Sequence, residues 1–137
     1  MKEKINDKIR EIEKYLEKLY SIVPETLEEY RGDFKSKLAC ERCFEMIIGA
    51  SIDLAFLIIR EKNLKIPEDD ETSFFILSQN KIISDNLAKK LKEAKGMRNV
   101  IAHEYGEIDD SLVFDSIKEE LEKDIGEFIN LIRLIIK

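Results

Sequence analysis

Apolar residues recur at helical spacing along almost the whole chain, and this periodicity constrains the fold more than any other feature. In the first segment the apolar positions alternate in steps of four and three, which places them on one helix face; they are Ile5, Ile9, Ile12, Leu16 and Leu19. No stretch shows convincingly the period of two that marks a half-buried strand. The 137 residues include only 5 glycines and 2 prolines, so we expect few, long helices.

The second helix is expected to span residues 34–62. Asp33 is its predicted N-terminal cap, and Pro24 and Gly32 lie in the break that separates it from the first helix. Its latter half is apolar on nearly every side. A helix of that kind is either the buried centre of a bundle or part of a subunit interface.

Three further helices follow a loop predicted at residues 63–70. A short helix begins at Thr72 or Ser73, and a longer helix follows Ser84. The longer helix is expected to end at Gly106, and the residues of its inner face are Leu87, Leu91, Ala94 and Ile101. Asp109 or Asp110 caps the last helix, whose expected inward positions are Leu112, Ile117, Leu121, Ile125, Phe128, Ile132 and Ile136. We therefore predict an all-α chain that forms one domain over residues 1–137, an up-and-down bundle of four long helices and one short helix.

The net charge of −6 argues against a protein that coats nucleic acid non-specifically, because such a protein needs a broad basic face. It leaves room for a nuclease with a local basic cleft. The simplest interpretation of Lys89, Lys90, Lys92 and Lys95 is a solvated face, although they are also placed to lead RNA toward Arg98.

The longest apolar run, residues 46–59, contains Asp53 and is too short for a membrane span. No signal peptide is visible, so we expect a cytoplasmic protein.

The two cysteines, Cys40 and Cys43, form a C-x-x-C sequence. A structural zinc site needs four ligands, and the chain offers these two thiols and one distant histidine. A redox site of the thioredoxin type needs a strand before its helix, and no strand pattern precedes this pair. We expect both side chains simply to pack on one helix face.

The segment from Arg98 to Tyr105 carries the residues best suited to chemistry. His103 is the only histidine, so acid–base work near neutral pH falls to it first. Arg98 occupies the inward stripe, where its guanidinium must find a carboxylate or another anion. Asp53 and Glu45 of the second helix are possible structural partners for Arg98. His103 also has a structural interpretation, as a helix-end residue that interacts with the helix dipole.

Helical geometry separates the two side chains. Arg98 and His103 are five residues apart, which is about 140° around a helix of 3.6 residues per turn. They are therefore not a stacked pair within one helix. A two-fold dimer that packs this helix end against its copy would bring both groups to one groove, with two His103 side chains for general acid and general base.

The order Arg98-Asn99-x-x-x-His103-x-Tyr105 near the end of a long helix resembles the signature of the HEPN superfamily, and more narrowly that of its HepT-like toxins. Other stretches in the expected order extend the resemblance over nearly the whole chain; they are Cys40-Glu41-Arg42-Cys43, Ile52-Asp53-Leu54-Ala55, Ser73-Phe74-Phe75 and Gly96-Met97-Arg98-Asn99. A HEPN-like helical bundle is the fold that this resemblance implies.

The resemblance also implies a function, the toxin of a type VII toxin–antitoxin system. Such a toxin is a homodimeric, metal-independent endoribonuclease that needs no cofactor and cleaves tRNA or mRNA through attack of a 2′-hydroxyl. Arg98 would stabilise charge on the phosphorane, His103 would transfer the proton, and Asn99 would orient the phosphate. The implied antitoxin is a minimal nucleotidyltransferase of the MntA type, which adenylylates the motif tyrosine, here Tyr105. Added bulk and negative charge there would cover Arg98, which lies on the same helix face.

Asp53 is a secondary candidate, since a carboxylate among apolar neighbours must be paired if it is buried. We expect Arg98 or a basic group of a second subunit to be its partner, in a supporting role. Two other functions stay open at this point. One is a non-catalytic HEPN module that binds a nucleotide or serves as an accessory subunit of a nucleotidyltransferase; the other is a purely structural bundle.

Overall fold

The computed structural model describes residues 1–69, 72–103 and 108–137, and most of these residues are helical. In chain order the helices are α1 (Lys2–Ile22), α2 (Leu27–Gly32), α3 (Phe34–Glu61), α4 (Ser73–Gln79), α5 (Asp85–His103), α6 (Asp110–Asp115) and α7 (Glu122–Ile135). A π-helical segment, Ser116–Leu121, joins α6 to α7 without a break. The described ranges contain no β-strand. The predicted all-α bundle of four long helices is confirmed. Its fourth long helix consists of α6, the π-helical segment and α7.

The predicted helix starts are formed by side-chain caps. An Asp33 carboxylate oxygen accepts a hydrogen bond from the backbone N–H of Ser36 at 3.1 Å, and Ser84 caps the start of α5 in the same way. Asp109, one of the two predicted candidates, caps α6. Each cap satisfies a backbone N–H that the helix itself leaves without a partner.

A second short helix, α2, was not predicted. Thr26 Oγ1 accepts from the backbone N–H of Glu29 at 3.1 Å, and the Glu29 carboxylate lies 3.1 Å from the same hydroxyl. This is the Thr-x-x-Glu pattern of a capping box, the signal that the sequence analysis missed. The helix buries only Tyr30, whose ring packs against Phe114 at 5.3 Å between centroids.

The α3 helix is the centre of the bundle, as its apolar composition predicts. It packs most extensively against α1 and also contacts α4 and α5. Side chains on most of its circumference are buried; they include Cys40, Phe44, Ile47, Ile48, Leu54, Ala55, Ile58 and Ile59. Because α1 and α5 both lie along α3, the residues that these three helices turn toward one another can share a cleft.

The last helix turns the predicted face inward except at its start. Ile117, Leu121 and the predicted apolar positions through Ile132 are buried, but Leu112 was predicted inward and is 58% exposed. Val113 and Phe114 are buried instead. Leu112 lies five residues before Ile117, which is about 140° around an α-helix, whereas Val113 and Phe114 lie four and three residues before it and share its face.

None of the helices built from the described residues combines the length and apolarity that a membrane span requires. The predicted helix stop at Gly106 lies outside the described residues.

Candidate active site

The inner face of α5 is formed by the predicted residues, and Arg98 continues it. Leu87, Leu91 and Ile101 are buried and Ala94 is half-buried. Arg98 is also half-buried, and its Nε atom is buried without a hydrogen-bond partner. Within the described part of the chain its guanidinium makes no ion pair. A buried guanidinium nitrogen without a partner favours binding of an anion at this point.

The two carboxylates proposed as structural partners of Arg98 are engaged elsewhere. Glu45 lies 3.7 Å from Arg42 on the same helix. Asp53 lies 3.3 Å from Lys8 of α1, and 62% of its side chain is exposed. The prediction that Arg98 is the partner of Asp53 is therefore wrong, because Asp53 faces α1 and meets a lysine there. A contact between Asp53 and a basic group of a second subunit stays a prediction.

Arg98 and Asp53 nevertheless line one cleft between α1, α3 and α5, with a volume of about 650 Å³. We call it the Arg98 cleft. Its cations are Lys4, Lys8, Arg60 and Arg98, its carboxylates are Asp7, Glu11 and Asp53, and its apolar residues are Ile52, Phe56 and Leu57. The volume lies within the range of about 300–1,000 Å³ that is usual for small-molecule sites.

Lys8 holds two of the three carboxylates of the Arg98 cleft. Its ammonium group lies 3.4 Å from Glu11 and 3.3 Å from Asp53. Burial alone would lower the pKa of Lys8, but the two carboxylates outweigh burial and the pKa is raised above its usual value. Lys8 is therefore a protonated side chain whose single positive charge offsets one of the two negative charges that would otherwise repel an anion.

His103 and Asn99 do not line the Arg98 cleft of the same chain. His103 is the last residue of α5 and is exposed, whereas Asn99 is half-buried. Arg98 and His103 thus differ in burial and surroundings, as expected from their angular separation. Tyr105, the predicted modification site, lies outside the described residues.

Sequence reasoning missed the contribution of Lys4, Lys8 and Arg60. The spacing of four between Lys4 and Lys8 was the available signal, since it places both on one face of α1.

The lysine face predicted on α5 is only partly correct. Lys89 and Lys92 are exposed, but Lys95 is 5% exposed and belongs to the buried side of the helix.

Both thiols are buried, as the packing interpretation predicts. Burial is the main cause that raises the pKa of Cys40 to about 11, with smaller contributions from Cys43 and nearby carboxylates. The described residues contain no group of three or more histidine, cysteine, aspartate or glutamate side chains able to hold a metal ion. The cysteine pair thus has the features of a packing element of α3.

The family can be assigned from sequence comparison. The profile of the ribonuclease HepT-like family matches residues 12–132. The chain belongs to this family. The HepT-like chain is 31% identical over 137 residues to the mRNA nuclease HepT of Shewanella oneidensis, covering 97% of this chain and 98% of the relative. It is also 29% identical to the tRNA nuclease HepT of Aphanizomenon flos-aquae, covering 87% of this chain and 81% of that one.

Solved structures give the same family. A tri-AMPylated HEPN toxin of Shewanella oneidensis, in complex with its MNT antitoxin, is 28% identical and superposes with a TM-score of 0.89. The superposition covers 95% of this HepT-like chain and 96% of the toxin. The cytosolic protein YutE of Bacillus subtilis, at 18% identity and a TM-score of 0.82, shares the fold. The predicted family and its HEPN-like fold are confirmed.

Proposed function

We propose that this HepT-like chain is the toxin of a type VII toxin–antitoxin system and cleaves tRNA or mRNA without a metal ion. The observation that carries the proposal is the buried, unpartnered Nε of Arg98 in a cleft, on the helix that ends with the only histidine. An RNA phosphate is an anion suited to that guanidinium. Relatives named as mRNA and tRNA nucleases support the choice of substrate.

In the proposed reaction the 2′-hydroxyl oxygen attacks the adjacent phosphorus, and the bond from phosphorus to the 5′-oxygen breaks. One His103 side chain accepts the 2′-hydroxyl proton, and an imidazolium supplies a proton to the leaving oxygen. Arg98 stabilises the charge that grows on the phosphorane oxygens, and Asn99 orients the phosphate. The products are a 2′,3′-cyclic phosphate and a free 5′-hydroxyl.

A second copy of the chain is part of this proposal. His103 lies outside the Arg98 cleft of its own chain, at the end of α5. A two-fold dimer is the simplest assembly that places the histidine of one subunit beside the arginine of the other. It also supplies two imidazoles for the two proton transfers, which one chain lacks.

The proposed partner is a minimal nucleotidyltransferase antitoxin that adenylylates Tyr105. Support comes from the similar toxin described as tri-AMPylated and in complex with an MNT antitoxin. An adenylyl group on Tyr105, seven residues after Arg98 in the sequence, would add a phosphate and a base near the Arg-His motif, and so compete with RNA. The cytoplasmic location expected from the sequence fits this partnership and stays part of the proposal.

The second candidate is a non-catalytic HEPN module that binds a nucleotide or assists a nucleotidyltransferase. The net charge of −6 favours it, because long-range attraction of RNA is weak for an acidic protein. It predicts a complex with the nucleotidyltransferase, and modification of Tyr105, but no cleavage of RNA.

Incubation of unmodified protein with tRNA and mRNA in excess EDTA separates the two candidates. The toxin should give fragments that end in 2′,3′-cyclic phosphate, and His103→Ala should abolish them. Asn130→Ala, a change at an exposed residue of α7, is the control for the purification. Cleavage that persists unchanged in His103→Ala would refute the mechanism, and cleavage that requires added metal would refute metal independence.

A further inference from the structure

Three cations of the Arg98 cleft have no ion-pair partner among the described residues, and each comes from a different helix. Lys4 belongs to α1, Arg60 to α3 and Arg98 to α5. All three lie outside the ion pairs that the other charged residues of the cleft form. Lys4 and Arg60 are exposed at the surface, and Arg98 is half-buried beside them in the same cleft.

The carboxylates of the cleft are paired with cations, but not one for one. Asp7 pairs with Arg10, outside the cleft, while Glu11 and Asp53 share Lys8. Lys8 offsets only one of its two carboxylates, yet the cleft has four cations against three carboxylates and so stays positive, although the chain as a whole carries −6. A local positive cleft within an acidic protein directs an anion to one place, because the rest of the surface repels it.

The shape of the cleft fits a nucleic-acid strand. Its volume of about 650 Å³ leaves room for a nucleotide, and Phe56 and Leu57 provide half-buried apolar surface between the cations. A cationic rim with an aromatic side chain is the combination that single-stranded nucleic acids bind, through phosphate contacts and base stacking.

We propose that Lys4 and Arg60 bind RNA phosphates next to the one held by Arg98, so that the substrate strand lies along the cleft between α1, α3 and α5. This inference rests on the proposed function for the identity of the anion. It assigns binding roles to two residues outside the Arg-His motif, and it fixes the side of α5 from which the strand approaches. An adenylate group is the other source of a phosphate in this cleft, and the experiment distinguishes the two.

The test measures binding of a short, fully 2′-O-methylated RNA, which lacks the attacking hydroxyl and stays intact. Wild type is compared with Lys4→Gln and Arg60→Gln over a range of salt concentrations. Each variant should bind several-fold more weakly, and the slope of log affinity against log salt should fall by about 0.7 for each lost phosphate contact. Lys14→Gln on α1 and Arg42→Gln on α3 are matched controls, since both residues are exposed outside the cleft.

Unchanged affinity and slope in both cleft variants would overturn the inference, as would equal losses in the controls. A wild-type protein that binds AMP in this cleft but no RNA would overturn it as well. A different result would refute the proposed function. A protein that binds the methylated RNA through Lys4 and Arg60 but never cleaves unmodified RNA supports this inference and refutes the nuclease.

Discussion

The ammonium group of Lys8 lies 3.3 Å from the carboxylate of Asp53, and this contact joins α1 to α3 at the edge of the Arg98 cleft. Asp53 therefore restrains a lysine of the cleft and leaves Arg98 without a carboxylate partner. Exposed ion pairs of this kind contribute little to stability, so the consequence of the contact is mainly electrostatic.

Replacement of Asp53 with asparagine should tighten RNA binding. The change removes one negative charge from the cleft and leaves Lys8 with Glu11 as its one carboxylate partner. The free energy of unfolding should fall by no more than about 1 kcal/mol. Titration with 2′-O-methylated RNA and urea denaturation measure the two effects. Glu45→Gln, which breaks the Arg42 pair outside the cleft, is the control. Weaker binding in Asp53→Asn would instead show that the carboxylate positions a group that holds RNA.

The hydroxyl of Tyr20 donates a 2.6 Å hydrogen bond to the carbonyl oxygen of Ile117 in the π-helical segment. Tyr20→Phe should lower the free energy of unfolding by about 0.5–1.5 kcal/mol, since the buried carbonyl loses its partner and no apolar contact is removed. Chemical denaturation measures the change. Tyr15→Phe, on the same helix and without such a bond, should have a smaller effect. Equal losses in both variants would count against a specific role for this bond.

Asp109 should contribute to the pH dependence of stability. The side-chain hydrogen bond from Ser111, followed by the backbone N–H of Leu112, lowers the pKa of Asp109 below its usual value. Its stabilising effect is therefore present above the unfolded pKa of about 3.9 and is lost as the pH falls through the lower folded pKa. Denaturation of Asp109→Asn, which keeps a capping oxygen, should show a shallower loss of stability below about pH 4. A pH dependence in Asp109→Asn identical to that of wild type would contradict this role of Asp109.

The two cysteines should react slowly with thiol reagents in the folded protein. Cys40 is buried with a pKa raised to about 11, and burial also raises the pKa of Cys43, so little thiolate is present at neutral pH. Reaction with an aromatic disulfide at pH 7.5 should be much slower than in denaturant. Fast modification of native protein, at a rate near that of the unfolded chain, would contradict the packing role.

The sequence was sufficient to predict the helices whose apolar period is long and uniform. α1, α3, α4 and α5 begin near the predicted positions, because Asp33, Ser84 and the apolar stripes are local signals. The short helix α2 was missed because six residues carry little periodicity, and its capping box was the only signal. Leu112 was misplaced because its apolar side chain was given more weight than its spacing of five from Ile117, which places it off the inward face.

The candidate site could be predicted only in part, for a related reason. Arg98 and His103 stand out as exceptions to a local pattern, one as a cation on an apolar stripe and the other as the only histidine. Lys4, Lys8 and Arg60 conform to the pattern of exposed helix faces, so nothing local distinguishes them. Their convergence arises from the packing of α1 and α5 against α3, which is a tertiary property.

The central claim is that Arg98 of one subunit acts with His103 of the other, and mixing two inactive variants tests it most directly. Arg98→Ala and His103→Ala, each with a different tag, are unfolded together, refolded, and purified as heterodimers. One intact arginine and one intact histidine then face each other while the second imidazole is missing, so RNA cleavage in EDTA should recover in part, above either parent and below wild type. The double variant, mixed with either single variant, should stay inactive. Heterodimers that form but recover no cleavage would contradict the claim.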